Sequence, residues 1–377
     1  MTNPVHNYCI ALIRACMQET PVPPLPPDVK LDELFAFARY HNAEALLYHG
    51  LSNLEGITEH PLWKTLENRA ALLLAQGVVQ LTERDMLFDA LTGAGIPVLP
   101  MKGCWLKEQY PDIDYRQMSD LDILIPKEKA EDAAAVMRAL GYKPGDFDDN
   151  PRHTGYLKAP YTGVELHTSL LYEDRGYYDD VWNRAEPVAD CPGVYRFRAE
   201  DEYIFYLLHL HKHLNSAGTG IRSVLDSLVF RQAYPGMDRH YLRKELEKWG
   251  LWELAEDIET LADCWFKTGS SVPEQLREMA EFILSAGSYG TLENRYQRRL
   301  DKLEKRYKNP FLRAIAYWIG RICRPMKEMK RSYPVLHKLP FLLPFLWIHR
   351  AIVRFCRRPK EVRHHIAVVF GRGKKHG

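Results

Sequence analysis

Residues 118–126, Met-Ser-Asp-Leu-Asp-Ile-Leu-Ile-Pro, constrain the fold more than any other stretch of this chain. Side chains of a β-strand alternate between the two faces of its sheet, so Asp120 and Asp122 project from one face. Leu121 and Ile123 point the other way, into a core. Two neighbouring carboxylates repel each other, whereas Mg²⁺ prefers carboxylate oxygens together with the phosphate oxygens of a substrate. The pattern therefore predicts a metal-binding strand with one apolar face.

The flanking residues predict a phosphate site and a third carboxylate. An apolar run, Ile-Pro-Val-Leu-Pro-Met, ends at Lys102-Gly103 before a helix-like segment. Such a turn offers free backbone N–H groups and a positive charge to an anion. A second alternating strand, Gly-Val-Glu-Leu-His-Thr-Ser, carries Glu165 and His167 on one face. A cradle for a triphosphate and a set of acids for cations are what phosphoryl transfer with two metal ions requires.

Hydrophobic periodicity predicts an α+β fold, in which a core that contains the strands is flanked by an N-terminal and a C-terminal helical region. Helices are predicted over 28–39, 41–54, 61–92 and 127–141, and again throughout 199–287. Strands are predicted over 98–101, 119–125, 156–159, 164–169 and 194–198. The predicted regions are an N-terminal helical region (1–95), an α/β core (96–198), a helical region (199–294) and a basic C-terminal part (295–377).

At these residues the chain resembles the nucleotidyltransferase superfamily that includes DNA polymerase beta and the minimal nucleotidyltransferases, and most of all a bacterial branch of nucleotidyltransferase family proteins. The motifs of that branch are Met101-Lys102-Gly103, Tyr110-Pro111, Arg116, Ser119-Asp120-Leu121-Asp122, Leu140-Gly141-Tyr142 and Glu165-Leu166-His167. They cover about residues 96 to 170, and the likeness is looser over the flanking helices. Two features depart from the superfamily: Cys104 follows the glycine of the phosphate turn, and the loop 110–117 is an insertion relative to the minimal members.

The resemblance implies that the core is a small mixed sheet of the nucleotidyltransferase kind. It also implies transfer of a nucleoside monophosphate from an NTP to an acceptor, with release of pyrophosphate. It implies Mg²⁺ as cofactor, with Mn²⁺ as an alternative. Asp120, Asp122 and Glu165 are the expected catalytic residues and metal ligands. The expected nucleotide-binding residues are Lys102, Gly103, Cys104, Arg116, Ser119, His167, Lys212, His213 and Arg222. The acceptor stays open between a small molecule, a sugar and a protein.

Several of these residues also have an ordinary structural explanation. Arg222 and Asp226 are four apart on a predicted helix, where an ion pair is the default. Arg116 is either a turn residue or a phosphate contact, and His167 is either a partner of a carboxylate or substrate or a polar residue at a strand end. The second D-x-D, residues 112–114, lies in a turn, where Asp commonly bonds the backbone, and is assigned no metal.

Two other functions compete with nucleotidyl transfer. Glycosyltransferases also use a D-x-D to hold Mn²⁺ against a sugar nucleotide. They would need a doubly wound nucleotide-binding domain before the motif, and residues 1–95 are predicted to be helical instead. The second alternative is a non-catalytic, nucleotide-binding protein of nucleotidyltransferase-like fold, which Cys104 in the phosphate turn favours.

Composition limits the class of protein. The seven cysteines of the 377 residues are scattered and odd in number, without a C-x-x-C pair, which favours reduced thiols over disulfides or a zinc site. Neither a run of 18 apolar residues nor a secretion signal is found, and the expected location is the cytoplasm. No motif that reads bases is present, so sequence-specific nucleic-acid binding is not expected.

The C-terminal part is strongly basic. Residues 295–377 carry 23 Lys and Arg but 4 Asp and Glu, a net charge of +19, which leaves −17 for the rest because the whole chain carries +2. Within it, the aromatic-rich segment 335–355 is flanked by basic residues on both sides. This composition is typical of a segment in a membrane interface, so peripheral membrane contact through 321–363 is one hypothesis. Docking onto the acidic remainder of the chain, which the opposite charges favour, ranks first among the explanations, and contact with nucleic-acid phosphates or binding of a protein partner are the others.

Overall fold

A computed structural model describes residues 3–145, 153–160, 162–170, 177–291, 294, 303–304, 306–326, 329–330 and 333–357. The chain divides into two compact units. The first comprises residues 1–212 and 219–288, and the second comprises residues 213–218 and 289–377.

Helices dominate the described residues. The helices are α1 Pro4–Gln18, α2 Leu31–Tyr40, α3 Glu44–Leu51, α4 Trp63–Gly93, α5 Gly103–Leu106, α6 Ala130–Ala139, α7 Val181–Arg184, α8 Ala199–Leu214, α9 Ile221–Ala233, α10 Arg239–Trp249, α11 Trp252–Ala262, α12 Arg277–Ala286, α13 Pro310–Ile322 and α14 Leu343–Arg357. The strands are β1 Leu99–Pro100, β2 Leu121–Leu124, β3 Lys143–Pro144, β4 His153–Lys158, β5 Thr162–His167, β6 Glu186–Pro187 and β7 Tyr195–Arg196.

Local capping explains where several helices begin. The side chain of Asn3 accepts a hydrogen bond from the N–H of Val5 at 2.9 Å. Asp238 caps α10 in the same manner, and Asn309 caps α13 directly before Pro310. The first N–H groups of a helix have no partner within it, so a short polar side chain at this position stabilises the helix by about 1 kcal/mol.

The main sheet has five strands in the order β1-β2-β5-β4-β3. Strands β2 and β5 are parallel, and the other neighbouring pairs are antiparallel. The sheet is therefore mixed, and the predicted α+β fold is confirmed. Strands β6 and β7 form a separate antiparallel pair.

One face of the main sheet is buried under α4 and α6. Leu87 and Leu91 of α4 and Met137 of α6 pack with the apolar side chains of β2 and β5 in a single core. Leu121 and Ile123 are fully buried in this core, as the alternation of their strand predicted. The polar residues of the same two strands consequently lie on the opposite face, where the candidate site is built.

Most predicted elements are confirmed, with their ends displaced by a few residues. Three differences affect the site. The helix predicted after Gly103 ends after one turn and continues as a 3-10 turn over Lys107–Gln109. The strand predicted at 156–159 begins earlier, at His153. The strand predicted at 194–198 pairs with β6, and reaches the main sheet only through a bridge between Val98 and Val194.

The second unit contains α13 and α14, joined through 3-10 turns at Pro334–His337 and Pro340–Leu342. Trp347 Nε1 donates a hydrogen bond to the carbonyl of Arg324 at 2.9 Å, and Leu336 is fully buried. The basic residues predicted to flank the C-terminal side of this segment, beyond residue 357, lie outside the described residues. None of the helices described here is both long and apolar enough to cross a membrane.

Candidate functional site

The parallel pairing of β2 with β5 brings the predicted carboxylates together. Asp122 lies opposite Glu165, and Leu124 lies opposite His167. Side chains at paired positions of neighbouring strands project from the same face of the sheet. The register therefore aligns Asp122, Glu165 and His167 on the face that the apolar core leaves to polar groups.

Both carboxylate oxygens of Asp122 have a cationic or polar partner. Lys102 Nζ donates to Asp122 Oδ2 at 2.9 Å, and His167 Nε2 lies 2.8 Å from Asp122 Oδ1. Asp122 is buried with 7% of its surface exposed, so these partners take the place of water. A buried carboxylate with a side-chain partner at each oxygen is typical of a functional site.

A second carboxylate and two imidazoles extend the cluster. His167 Nε2 is 3.4 Å from Glu165 Oε2, and His153 Nε2 is 3.6 Å from Glu165 Oε1. His153 is the residue of β4 opposite His167 in the antiparallel register. One nitrogen or oxygen from each of His153, Glu165 and His167 lies within 4.8 Å of the others, a spacing that suits a shared metal ion.

Sequence reasoning missed His153, because the predicted strand began three residues too late. The alternation of β5 carried the signal that was needed. A partner strand running antiparallel to β5 must place one residue directly beside His167, and a second histidine within an antiparallel neighbour was therefore a candidate.

The three acids of the site titrate differently because their partners differ. Burial, the neighbouring Asp122 and Glu165 raise the pKa of Asp120 to about 6, against the attraction of Lys102 and Arg222. Burial also acts to raise the pKa of Asp122, but Lys102 and His167 outweigh it and hold that pKa well below the usual range. The hydrogen bond from His167 lowers the pKa of Glu165.

His167 is held between two acids. Burial alone would lower the pKa of its imidazole, but the hydrogen bonds to Asp122 and Glu165 raise it above the ordinary value. The imidazole is thus a donor to the carboxylates when it is protonated. The carboxylates of Asp122 and Glu165 lie on this face beside the imidazole, and carboxylate oxygens are the ligands that hard divalent cations prefer.

Lys102 reaches the site through a disfavoured backbone conformation. Its φ of +50° and ψ of −115° lie in a region that side-chain-bearing residues seldom adopt. The carboxylate of Glu202, in α8, accepts a hydrogen bond from the Lys102 N–H, and burial raises the pKa of Glu202 to about 8. The Lys102 ammonium also lies 5.6 Å from the centre of the Phe205 ring. Backbone strain of about 1–3 kcal/mol persists where the surroundings enforce it, and here they aim an ammonium at Asp122.

The predicted phosphate turn is closed more tightly than its sequence suggested. The N–H of Cys104 donates to the Met101 carbonyl at 3.1 Å, and the Cys104 thiol points into the core, 3.5 Å from the Asp122 carbonyl. A Cβ on Gly103 would lie 2.5 Å from Arg116 Nη1, so the turn requires glycine here. The roles of Gly103 and Cys104 in nucleotide binding stay predictions, and Cys104 contributes packing.

Arg116 forms a buried ion pair that the sequence did not indicate. Its Nε and Nη2 donate to the two oxygens of Asp226 at 2.8 and 3.0 Å, and the Tyr110 hydroxyl donates to Asp226 Oδ1 at 2.6 Å. The pKa of Asp226 is lowered because the attraction of Arg116 exceeds the cost of burial. The partner of Asp226 is thus Arg116 from the loop, and not Arg222 four residues away on the same helix. This pair ties the loop before the acidic strand to α9.

Arg222 lies at the start of α9, where its positive charge partly opposes the rise in the pKa of Asp120. Its Nη1 donates to the Gln117 carbonyl at 2.7 Å, and its buried Nε has no partner within the described residues. Ser119 is exposed beside Asp120. A Cβ at position 163 would lie 3.2 Å from the carbonyl oxygen of Ser119. The absence of a side chain on Gly163 therefore allows β5 to approach this segment closely.

Lys212 and His213 lie near the C-terminal end of α8. Lys212 is exposed, and His213 is half-buried. Their contribution to nucleotide binding stays a prediction.

A further group of potential metal ligands is found away from the sheet. His49 of α3 lies near the loop carboxylates Asp112 and Asp114, and His49 Nε2 is 2.9 Å from Asp114 Oδ2. The side chain of Asp114 is buried, and its hydrogen bond to His49 holds the loop against the N-terminal helices. This contact gives Asp114 a structural role.

Comparison with known families gives one match. A family described as "Uncharacterised nucleotidyltransferase" matches residues 27–267, well over half of the chain. The chain belongs to this nucleotidyltransferase family. Among curated proteins and among solved structures, no match to the chain was found.

The span matched by the nucleotidyltransferase family begins just before α2. It ends within the π-helical segment Asp263–Thr268 that follows α11. It contains the main sheet and the cluster around Asp122. The helices α13 and α14 lie beyond it, so they are not accounted for by the family match.

Proposed function

We propose that this member of the nucleotidyltransferase family transfers a nucleoside monophosphate from an NTP to an acceptor, with a divalent cation as cofactor. The observation that carries the proposal is the position of Asp122, which accepts a hydrogen bond from the Lys102 ammonium at 2.9 Å and lies opposite Glu165 of β5, with Asp120 two residues before it in the sequence. Such a combination of acids and one cationic group matches the needs of a metal-bound triphosphate.

The donor set fits a divalent cation. Burial, followed by the charges of Asp122 and Glu165, raises the pKa of Asp120, and a cation would relieve the repulsion between these carboxylates. The oxygens suit Mg²⁺, whereas the imidazoles of His153 and His167 suit Mn²⁺ better than Mg²⁺. When bound, the cation supplies neutralisation of phosphate charge and activation of the acceptor.

The residues of the chain would divide the remaining work. Asp120, Asp122 and Glu165 would hold the cation, supported by His167, which orients two of the three carboxylates. The Lys102 ammonium and the Arg222 guanidinium would bind triphosphate oxygens, since both carry positive charge beside Asp120. Nothing in the arrangement selects a base or an acceptor.

Pyrophosphate release tests this proposal. The protein is incubated with each NTP and either Mg²⁺ or Mn²⁺, and turnover is compared with that of D120N and D122N. Each variant should lose roughly a thousandfold or more in rate, because charge stabilisation in the transition state is lost with the cation. D132N is the matched control, since Asp132 is an exposed acid of α6.

The outcomes separate the alternatives. Metal-dependent NTP turnover that survives in D120N and D122N would refute the assignment. Label transferred to the protein itself, without an added acceptor, would identify a protein acceptor. Turnover of a sugar nucleotide alone would favour the glycosyltransferase.

One observation favours a non-catalytic nucleotide-binding protein as the second candidate. The Lys102 ammonium already neutralises Asp122 at 2.9 Å, and a permanent pair of this kind would exclude a metal ion. Calorimetric titration distinguishes the two. ATP that binds equally well in EDTA and in Mg²⁺, with no pyrophosphate released, would favour the non-catalytic protein.

A further inference from the structure

Helix α13 of the second unit exposes an apolar face. Phe311, Ile315 and Ile319 are spaced by four residues and therefore lie along one side of the helix. Their exposed fractions are 68%, 40% and 55%, and the neighbouring Leu312 is 50% exposed. The other side of the same helix carries the buried Tyr317. The apolar face is thus additional to the face that α13 uses for packing.

Helix α14 and the turn before it repeat this arrangement. Phe341, Phe345, Ile348 and Ile352 follow at spacings of four, three and four residues, which aligns them in a narrow stripe. Their exposed fractions are 67%, 68%, 58% and 57%. Soluble proteins seldom expose so many large apolar side chains together, and such surfaces mark sites of interaction.

The sequence that contains both helices is strongly basic. Residues 295–377 have a net charge of +19, and Lys338 and Arg350 adjoin the stripe of α14 in the sequence. The combination limits the partner. Two copies of this surface would repel each other, and nucleic-acid phosphates would gain nothing from exposed Phe and Ile. An anionic lipid bilayer would bind both the apolar faces and the basic residues. The apolar side chains enter the boundary of the acyl chains, and Lys and Arg contact the anionic headgroups.

We propose that the apolar faces of α13 and α14 dock this protein on the surface of an anionic membrane. None of the described helices is long and apolar enough to cross a bilayer. Helices with one apolar face can instead lie in the plane of the interface. The proposal is independent of the reaction at Asp122, since these helices lie outside the span that the family matches.

Flotation of the full-length protein with lipid vesicles tests the proposal. Vesicles of equal parts phosphatidylglycerol and phosphatidylcholine are compared with vesicles of phosphatidylcholine alone, at low and high salt. We expect the protein to float with the anionic vesicles and not with the neutral ones, and to float best at low salt. Screening at high salt should reduce partitioning by roughly tenfold or more, since each nearby basic residue contributes about 1 kcal/mol.

A fourfold serine variant removes the apolar contribution, and a matched variant controls for surface change. The test substitutions are F311S, I315S, F345S and I348S. The control substitutions, at exposed apolar positions of α4 in the first unit, are L72S, L74S, V78S and M86S. The first variant should lose roughly a hundredfold in partitioning, and the control should keep it. Circular dichroism checks that both remain folded.

Three results would overturn the proposal. The first is wild-type protein that stays at the bottom with anionic vesicles. The second is a serine variant that floats as well as the wild type while remaining folded. The third is equal flotation with neutral vesicles, because the basic residues would then have no part in the contact. In the first case, a wild-type protein that dimerises, and a serine variant that does not, would assign the faces to self-association.

Discussion

Asp120 offers the sharpest test of the site, because its removal should have opposite effects with and without a cation. Burial and the carboxylates of Asp122 and Glu165 raise its pKa from 3.8 to about 6. A raised pKa means that the folded state binds the proton more tightly than the unfolded state does. The free energy of unfolding therefore falls as the pH rises from about 4 to 6. Above that range, the full cost of ionising the buried Asp120 carboxyl is subtracted from the stability of the protein.

The size of the penalty follows from the shift. A difference of about two pKa units corresponds to about 3 kcal/mol at most, and partial exposure of Asp120 reduces this to about 2 kcal/mol. Asn in the same position carries no charge. D120N should therefore be more stable than the wild type in EDTA at pH 8, and close to it at pH 4.

Thermal unfolding measures both effects. In EDTA at pH 8 the Tm of D120N should exceed that of the wild type by about 4 °C, since 1 kcal/mol shifts the Tm of a large domain by about 2 °C. Added Mg²⁺ or Mn²⁺ should raise the Tm of the wild type. It should raise that of D120N far less, because a ligand has been removed. D132N serves as the control and should follow the wild type throughout.

The prediction for D120N is wrong if this variant is less stable than the wild type in EDTA at pH 8. That result would mean that the Asp120 carboxylate has a stabilising partner and no unrelieved repulsion. It also fails if the cation raises the Tm of both proteins equally, because Asp120 would then not be a ligand.

Three further predictions follow from buried groups. D226N should lower the free energy of unfolding by about 3–5 kcal/mol, since it leaves the Arg116 guanidinium buried without its counter-charge; chemical denaturation showing a loss below 1 kcal/mol would contradict this. Burial raises the pKa of Glu202 to about 8, so wild-type stability should decline between about pH 5 and 8, and E202Q should remove the part of that decline above pH 6, where the Asp120 penalty is already complete, in a series of Tm measurements. Cys104, buried with its pKa raised to about 12, should resist alkylation in the native protein, whereas the exposed Cys191 should react; mass spectrometry after brief labelling distinguishes them, and rapid modification of Cys104 would show that the turn opens.

The sequence by itself determined which side chains share a face. Alternation with a period of two is a local property of a strand, so the pattern of Asp122, Glu165 and His167 against Leu121 and Ile123 was legible without any knowledge of the sheet. The long helices could be predicted for the same reason, since the spacing of their apolar residues is a local signal.

Tertiary structure decided which partners these groups acquired. The pairing of Asp226 with Arg116, and not with Arg222, depends on how α9 packs against a loop more than a hundred residues earlier. His153 reached the site only through the register of β4 against β5. The Cys104 thiol lies in the core, 3.5 Å from the carbonyl of Asp122, because the turn after β1 packs against β2. Each of these contacts joins residues whose separation is set by the packing of whole elements, and side-chain periodicity within one element carries no information about that packing.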